Sequence, residues 1–172
     1  KRLENLSLKL LDLLVLRHKK IQTVSSSPAK LAQKAVAILK GEMDIREISV
    51  IQECQPGECQ MDPGLVESLM INLLDNARKA MDGPGQIRIR TEMTPEGFRI
   101  EDEGRGIPPE EMEKITEAFY RVDKSRARSQ GGAGLGLALC LEIVSAHKGK
   151  MKFENLPQGG TAVTVELRGN TI

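Results

Sequence analysis

At 172 residues the chain is long enough for one compact domain and one additional element, and its 40% hydrophobic content supplies a core, so a second full domain is not expected. Twenty-five basic residues against twenty-four acidic ones leave a formal charge of +1, and there is no Trp, one Tyr and three Phe; both the basic field and the stacking surface of a nucleic-acid binder are missing. Cys54, Cys59 and Cys140 are odd in number, lack CxxC spacing and have no nearby His, which argues against a zinc site and a disulfide framework and fits a reducing compartment.

In chain order, Leu3, Leu6, Leu10 and Leu13 alternate spacings of three and four, with Leu11, Leu14 and Leu16 widening the stripe. This predicts a helix over residues 1 to about 20, its seam facing either a partner helix or the chain's own domain. The pattern is already helical at Lys1, so the chain reads as cut from something longer. No run approaches the roughly 18 apolar residues of a membrane span and no signal-peptide pattern opens the chain, so the chain as given is expected to be soluble, a cytoplasmic domain whether or not its parent is anchored in a membrane. Ser25-Ser26-Ser27-Pro28 is a break and a helix start, with Ser27 as cap and Pro28 at the first helical position; that helix should run to about Lys40 and end at Gly41.

Residues 47–54 and 58–61 read as short strands around Pro56-Gly57, and Pro63-Gly64 opens a long helix to about Asp82, closed by Gly83-Pro84-Gly85. Strands at about 86–93 and 98–102 make a hairpin through Thr94-Pro95-Glu96-Gly97. A short helix near 109–117 leads into an Arg- and Gly-rich stretch ending at Gly136. A helix to about His147 and strands near 150–155 and 161–167 complete the chain. Helices and strands mix without regular alternation, which predicts an α+β two-layer sandwich: one mixed sheet covered on one face by helices.

Four stretches carry chemistry. Asn72, Asn76 and Lys79 share a sector of roughly 60° on the long helix, beside a core face of Val66, Leu69, Met70, Leu73 and Ala77. The amides are either part of a solvated face or hard, neutral ligands for Mg2+ that do not repel phosphates. In Asp102-Glu103-Gly104-Arg105-Gly106 a carboxylate at a strand end precedes a tight turn; it is a plain acidic turn or an acceptor for an exocyclic amine. Gly131-Gly132-Ala133-Gly134-Leu135-Gly136 joins freed backbone N–H groups to a helix N-terminus, as an anion site requires, although it is neither a Walker loop nor a GxGxxG fingerprint; a flexible linker is the competing reading. Phe119-Tyr120 followed by Arg121, Lys124 and Arg126 is a solvated basic loop or a lid that brings positive charge over phosphates.

Taken in order, Asn72-Leu73-Leu74-Asp75-Asn76 with Lys79, Asp102 with Gly104 and Gly106, Phe119-Tyr120, and Gly132, Gly134, Leu135 and Gly136 resemble the N, G1, F and G2 boxes of histidine kinases, relatives of gyrase and Hsp90. The likeness covers about residues 45–168, and residues 1–22 resemble the end of that family's dimerisation and phosphotransfer helix, leaving 23–172 as the catalytic domain. It implies the two-layer sandwich known as the Bergerat fold, with ATP and Mg2+ as ligands. Asn76 and Asn72 would hold the metal, Lys79 the phosphates and Asp102 the adenine. The glycines and Leu135 would line the nucleotide, and Arg121 or Arg126 would reach the γ-phosphate. It also implies as partners a histidine-bearing dimerisation domain and a response regulator, and a homodimeric parent. Two positions depart from the pattern: Ala80 stands where many relatives have an aromatic, and Glu103 where Asn is common.

Hydrolytic relatives carry a glutamate at the position of Asn72. An amide cannot take a proton from water, which favours transfer to an acceptor. Neither His18 nor His147 has the sequence context of an acceptor, so His147 is expected to be structural and the acceptor to come from another segment. A degenerate nucleotide-binding regulatory module and a serine kinase of the same superfamily are the alternatives; Asn72 speaks against the latter.

Overall fold

The computed structural model describes Leu16 and residues 21–91, 97–120 and 134–167. Its principal sheet has five strands: β2 (Ile48–Glu53), β4 (Gly85–Arg90), β5 (Gly97–Asp102), β6 (Lys150–Asn155) and β7 (Thr161–Glu166). They lie in the order β2-β4-β5-β7-β6, with β2 and β4 parallel and every other neighbour antiparallel. Helices α1 (Pro28–Asp44), α2 (Pro63–Ala80) and α3 (Gly136–Ala146) form the second layer. The expected α+β sandwich with a mixed sheet is therefore present.

Alternation in the strands decides which face the helices cover. Ile87, Ile89, Phe98, Ile100, Val163 and Val165 are buried, with Ile100 opposite both Ile89 and Val163 and Phe98 opposite Val165, whereas Arg88, Arg90, Arg99 and Glu101 occupy the intervening positions on the open face. The charges there are paired across the sheet. Arg90 reaches Glu53 at 2.8 Å and Glu101 at 3.9 Å, and Arg99 reaches Glu101 at 2.7 Å and Glu154 at 2.5 Å and donates to Thr164 at 2.9 Å. Such partly exposed pairs contribute little singly, but together they shield a face that, among the described residues, no helix covers.

Helix α2 is the central member of its layer, packing on α1, α3 and the sheet. Asp62 caps it, accepting from the Leu65 N–H at 3.2 Å, and Pro63 takes the first turn, where a missing N–H costs nothing. Its buried face holds the expected Val66, Leu69, Met70, Leu73 and Ala77, and also Leu74. Ser27 caps α1 as expected, but α1 continues through Gly41 to Asp44, because the stripe Leu31, Ala35, Leu39 and Met43 continues into the core and outweighs the roughly 1 kcal/mol cost of an interior glycine.

Two other elements differ from expectation. Ser25-Ser26 lie in a short strand, β1 (Val24–Ser26), which pairs antiparallel with β3 (Cys59–Met61) in a separate ribbon, so β2 and β3 flank Pro56-Gly57 without pairing. The helix expected near 109–117 is a single 3-10 turn, Pro109–Glu111, followed by turns: only Ile115 is buried there, so no apolar face offsets helix nucleation. Of the predicted amino-terminal helix only Leu16 is described; it is helical and buried in the domain core. Among the described residues no helix is long and apolar enough to cross a membrane.

His147 ties two helices together. Its Nδ1 donates to the Ile143 carbonyl at 2.8 Å, and its Nε2 accepts from the Asp62 N–H at 3.0 Å, joining the end of α3 to the cap of α2. The ring is buried, as its structural assignment requires. His147→Ala should destabilise the chain by about 2–4 kcal/mol in urea unfolding, since it empties a core position and leaves both partners unpaired. A change under about 0.5 kcal/mol would mean that the ring does not hold the cap.

Candidate functional site

The site forms where the second half of α2 meets the start of α3. Asn72 Nδ2 donates to the Ser68 carbonyl at 2.8 Å, an i to i−4 bond that leaves Oδ1 next to Gly136, the first residue of α3. A β-carbon on Gly136 would stand 3.3 Å from Asn72 Oδ1 and 3.9 Å from both amide atoms of Asn76. The two carboxamides and a helix N-terminus therefore converge. Asn76 Nδ2 is buried and has no partner among the described residues, an orphaned polar group at a place that a ligand can complete. Leu135, buried ahead of α3, provides no side-chain cap for the first N–H groups of that helix, where an anion site could form. Neutral oxygen donors beside such a helix start are the donor set that suits Mg2+ with phosphates.

A second cluster surrounds Asp102, at the end of β5. The carboxylate is 5% exposed, and Oδ1 accepts from the Gly104 N–H at 2.8 Å and the Thr161 N–H at 3.3 Å. Among the described residues Oδ2 accepts no hydrogen bond, so the group has an acceptor to spare. Burial raises its pKa above the ordinary 3.8, and the two backbone hydrogen bonds pull the other way without cancelling the effect. Gly104 is packed so closely that a β-carbon would lie 2.7 Å from Asp102 Oδ1 and 2.9 Å from the Ala80 carbonyl oxygen, while the Arg105 N–H donates to that carbonyl at 3.3 Å. The small Ala80 side chain thus lets the loop settle on the end of α2. Glu103, the other departure, accepts from the Gln86 N–H at 2.9 Å and pins the loop to β4.

The remaining predicted stretches are tied at their ends. The Phe119 N–H donates to the Gly134 carbonyl at 2.9 Å, and Gly134 has φ +73°, where a β-carbon would press on Phe119 and Tyr120. Arg121, Arg126 and Gly132 lie outside the described residues, as does His18.

Residues 61–171 match the family of histidine kinase-, DNA gyrase B- and HSP90-like ATPases. The chain belongs to that family. It is similar to the signal transduction histidine-protein kinase BaeS of Escherichia coli, 40% identical over 101 residues, which are 58% of this chain and 22% of BaeS. The sensor protein kinase WalK of Staphylococcus aureus is 37% identical over 112 residues, 63% of this chain and 27% of WalK. The chain thus spans about a quarter of the length of these relatives. The Acinetobacter baumannii histidine kinase AdeS has the same fold, with a TM-score of 0.81 at 21% identity over 98% of this chain and 79% of AdeS.

Within this ATPase-family domain, Lys79 sits beside the asparagines on α2, and its ammonium is paired with the Asp75 carboxylate one turn back. Sequence reasoning missed three contributors. Gly160, at φ +92°, lies so close to the Asp102 carbonyl oxygen that a β-carbon would overlap it, and the next residue, Thr161, supplies an N–H to the carboxylate. The doublet Gly159-Gly160 ahead of a strand was the available signal. Asn155 accepts from the Ile107 N–H at 2.8 Å and donates to the Ile107 carbonyl at 2.7 Å, clamping the Asp102 loop to β6; nothing local in the sequence announces it.

Gly160→Ala should cost at least about 2 kcal/mol in denaturant unfolding, because both the φ angle and the overlap with the Asp102 backbone must be relieved. Unchanged stability would show that β7 can draw back from Asp102.

Proposed function

We propose that this chain is the ATP-binding catalytic domain of a two-component sensor histidine kinase, binding Mg-ATP and directing the γ-phosphate to a histidine on a dimerisation domain. The observation that carries the reading is the pair Asn72 and Asn76 set against the start of α3 at Gly136, with amides where a hydrolase needs a carboxylate.

Each residue then has a task. Asn76, with Asn72, would hold Mg2+ through amide oxygens, and the bound ion would neutralise charge on the phosphates. The N–H groups at the start of α3 cradle phosphate oxygens, and Gly134, Leu135 and Gly136, with Gly132 of the same motif, are assigned to the phosphates. Asp102 accepts from the exocyclic amine of adenine while Oδ1 stays committed to Gly104 and Thr161. Gly104 and Gly106, the latter at φ +75°, let the loop backbone approach the base. Lys79, Arg121 and Arg126 contribute positive charge toward the transferred phosphoryl group. Asn72 cannot act as a base for water, and its Nδ2 is occupied by Ser68, so the site orients ATP without activating a hydrolytic nucleophile.

The acceptor histidine then belongs to a dimerisation domain, and residues 1–22 would link that domain to this one. The parent is a homodimer that passes phosphate to a response regulator, and this domain works in the cytoplasm. The relatives BaeS and WalK, named as histidine and sensor kinases, support that placement.

Calorimetric titration with a non-hydrolysable ATP analogue tests the reading. Binding should require Mg2+ and weaken about tenfold or more in Asn76→Ala. With labelled ATP the chain alone should place no phosphate on His18 or His147, and an added acceptor domain should become labelled. Absence of binding, or label on either of the two histidines, would contradict the assignment.

A further inference from the structure

The last turn of α2 holds a charge cluster whose members have unequal freedom. Arg78 is 8% exposed, and its NH2 group reaches Asp75 Oδ1 at 2.5 Å and Glu42 Oε2 of α1 at 2.7 Å. Asp75 is therefore anchored by a buried guanidinium that is itself tied to the neighbouring helix. Its other oxygen, Oδ2, holds the Lys79 ammonium. Lys79 makes no other ion pair among the described residues, and its side chain is 28% exposed. Burial alone would raise the Asp75 carboxyl, but hydrogen bonds and charge from Lys79 and Arg78 outweigh it and hold the carboxyl below its ordinary 3.8.

Lys79 stands three residues beyond Asn76, so its flexible four-carbon stem starts beside the amide pair while its charge is drawn back along the helix. We propose that Asp75 is a positioning residue that holds the Lys79 ammonium until a nucleoside triphosphate binds and then yields it to the β- and γ-phosphates. This rests on the proposed nucleotide site and adds a competition within it. Arg78 makes the exchange feasible: when Lys79 leaves, Asp75 still faces a guanidinium, so no half-buried carboxylate is stranded. A monophosphate does not extend to the β and γ positions and leaves the pair in place. The stored pair therefore sets how strongly the site distinguishes a triphosphate from a monophosphate.

A double-mutant cycle on the full chain, titrated with AMP-PNP and with AMP in Mg2+, tests the exchange. Asp75→Asn keeps the side-chain shape and releases Lys79, so AMP-PNP affinity should rise about threefold to tenfold while AMP affinity stays fixed. In Lys79→Met the same Asp75→Asn change should have no effect on AMP-PNP. A gain that persists in Lys79→Met would mean that Asp75 merely repels phosphate, and no gain in the lysine-containing chain would mean that the pair does not compete; either overturns the proposal. A measurement free of Asp75 variants uses the lysine side-chain NMR signals of the unmutated chain, with Lys79 assigned by its loss in Lys79→Met. They should shift with AMP-PNP and not with AMP, and equal shifts would overturn the exchange. Failure of the unmutated chain to bind AMP-PNP at all would remove the nucleotide site itself, an outcome distinct from binding without coupling.

Discussion

Burying a carboxylate at the end of β5 forces several backbones to converge, and the candidate site depends on that convergence. Asp102 is satisfied by N–H groups from the loop that follows it and from the start of β7, so the loop, two strands and the end of α2 must all come within a few atoms of one another. Gly104 against Ala80 and Gly160 against Asp102 are the points where only glycine allows the contact. A buried carboxylate supplied with two donors is held rigidly, and the remaining oxygen is then a fixed acceptor with little freedom to lose on binding.

The same economy of geometry operates along α2. One helix brings its apolar face to the core, its amides to the start of α3 and its cations to the last turn, where they also complement the helix dipole. Because Asp62 caps α2 and His147 holds that cap to the end of α3, the two helices that bracket the site are fixed at their far ends as well as at Gly136. The open face of the sheet is charged and its described side chains pair with one another, whereas the candidate site residues lie on the helical side.

Much of this was legible in the sequence because it is local. The mixture of helices and strands pointed to a two-layer α+β sandwich, Ser27-Pro28 and Pro63-Gly64 marked helix starts, and the spacing of Asn72 and Asn76 put both amides on one side of α2, where they meet Gly136. What was not legible depends on distant partners. The ribbon strand at Val24–Ser26 exists because Cys59–Met61 lies beside it, α1 passes Gly41 because Met43 is buried, and the clamp of Asn155 on Ile107 spans 48 residues. Lys79 looked like a cation free to reach phosphate, and its pairing with Asp75 emerges only once Arg78 and Glu42 are seen to fix the carboxylate.

The central claim is that Asp102 offers a fixed carboxylate oxygen to an exocyclic amine, and base selectivity tests it most directly. Competition of ATP, ITP and GTP for a fluorescent ATP analogue should show ATP displacing it at least about tenfold more effectively than ITP or GTP, which present a carbonyl where adenine has its amine. Equal displacement by all three would contradict the account, because the Asp102 carboxylate would then not be reading the base.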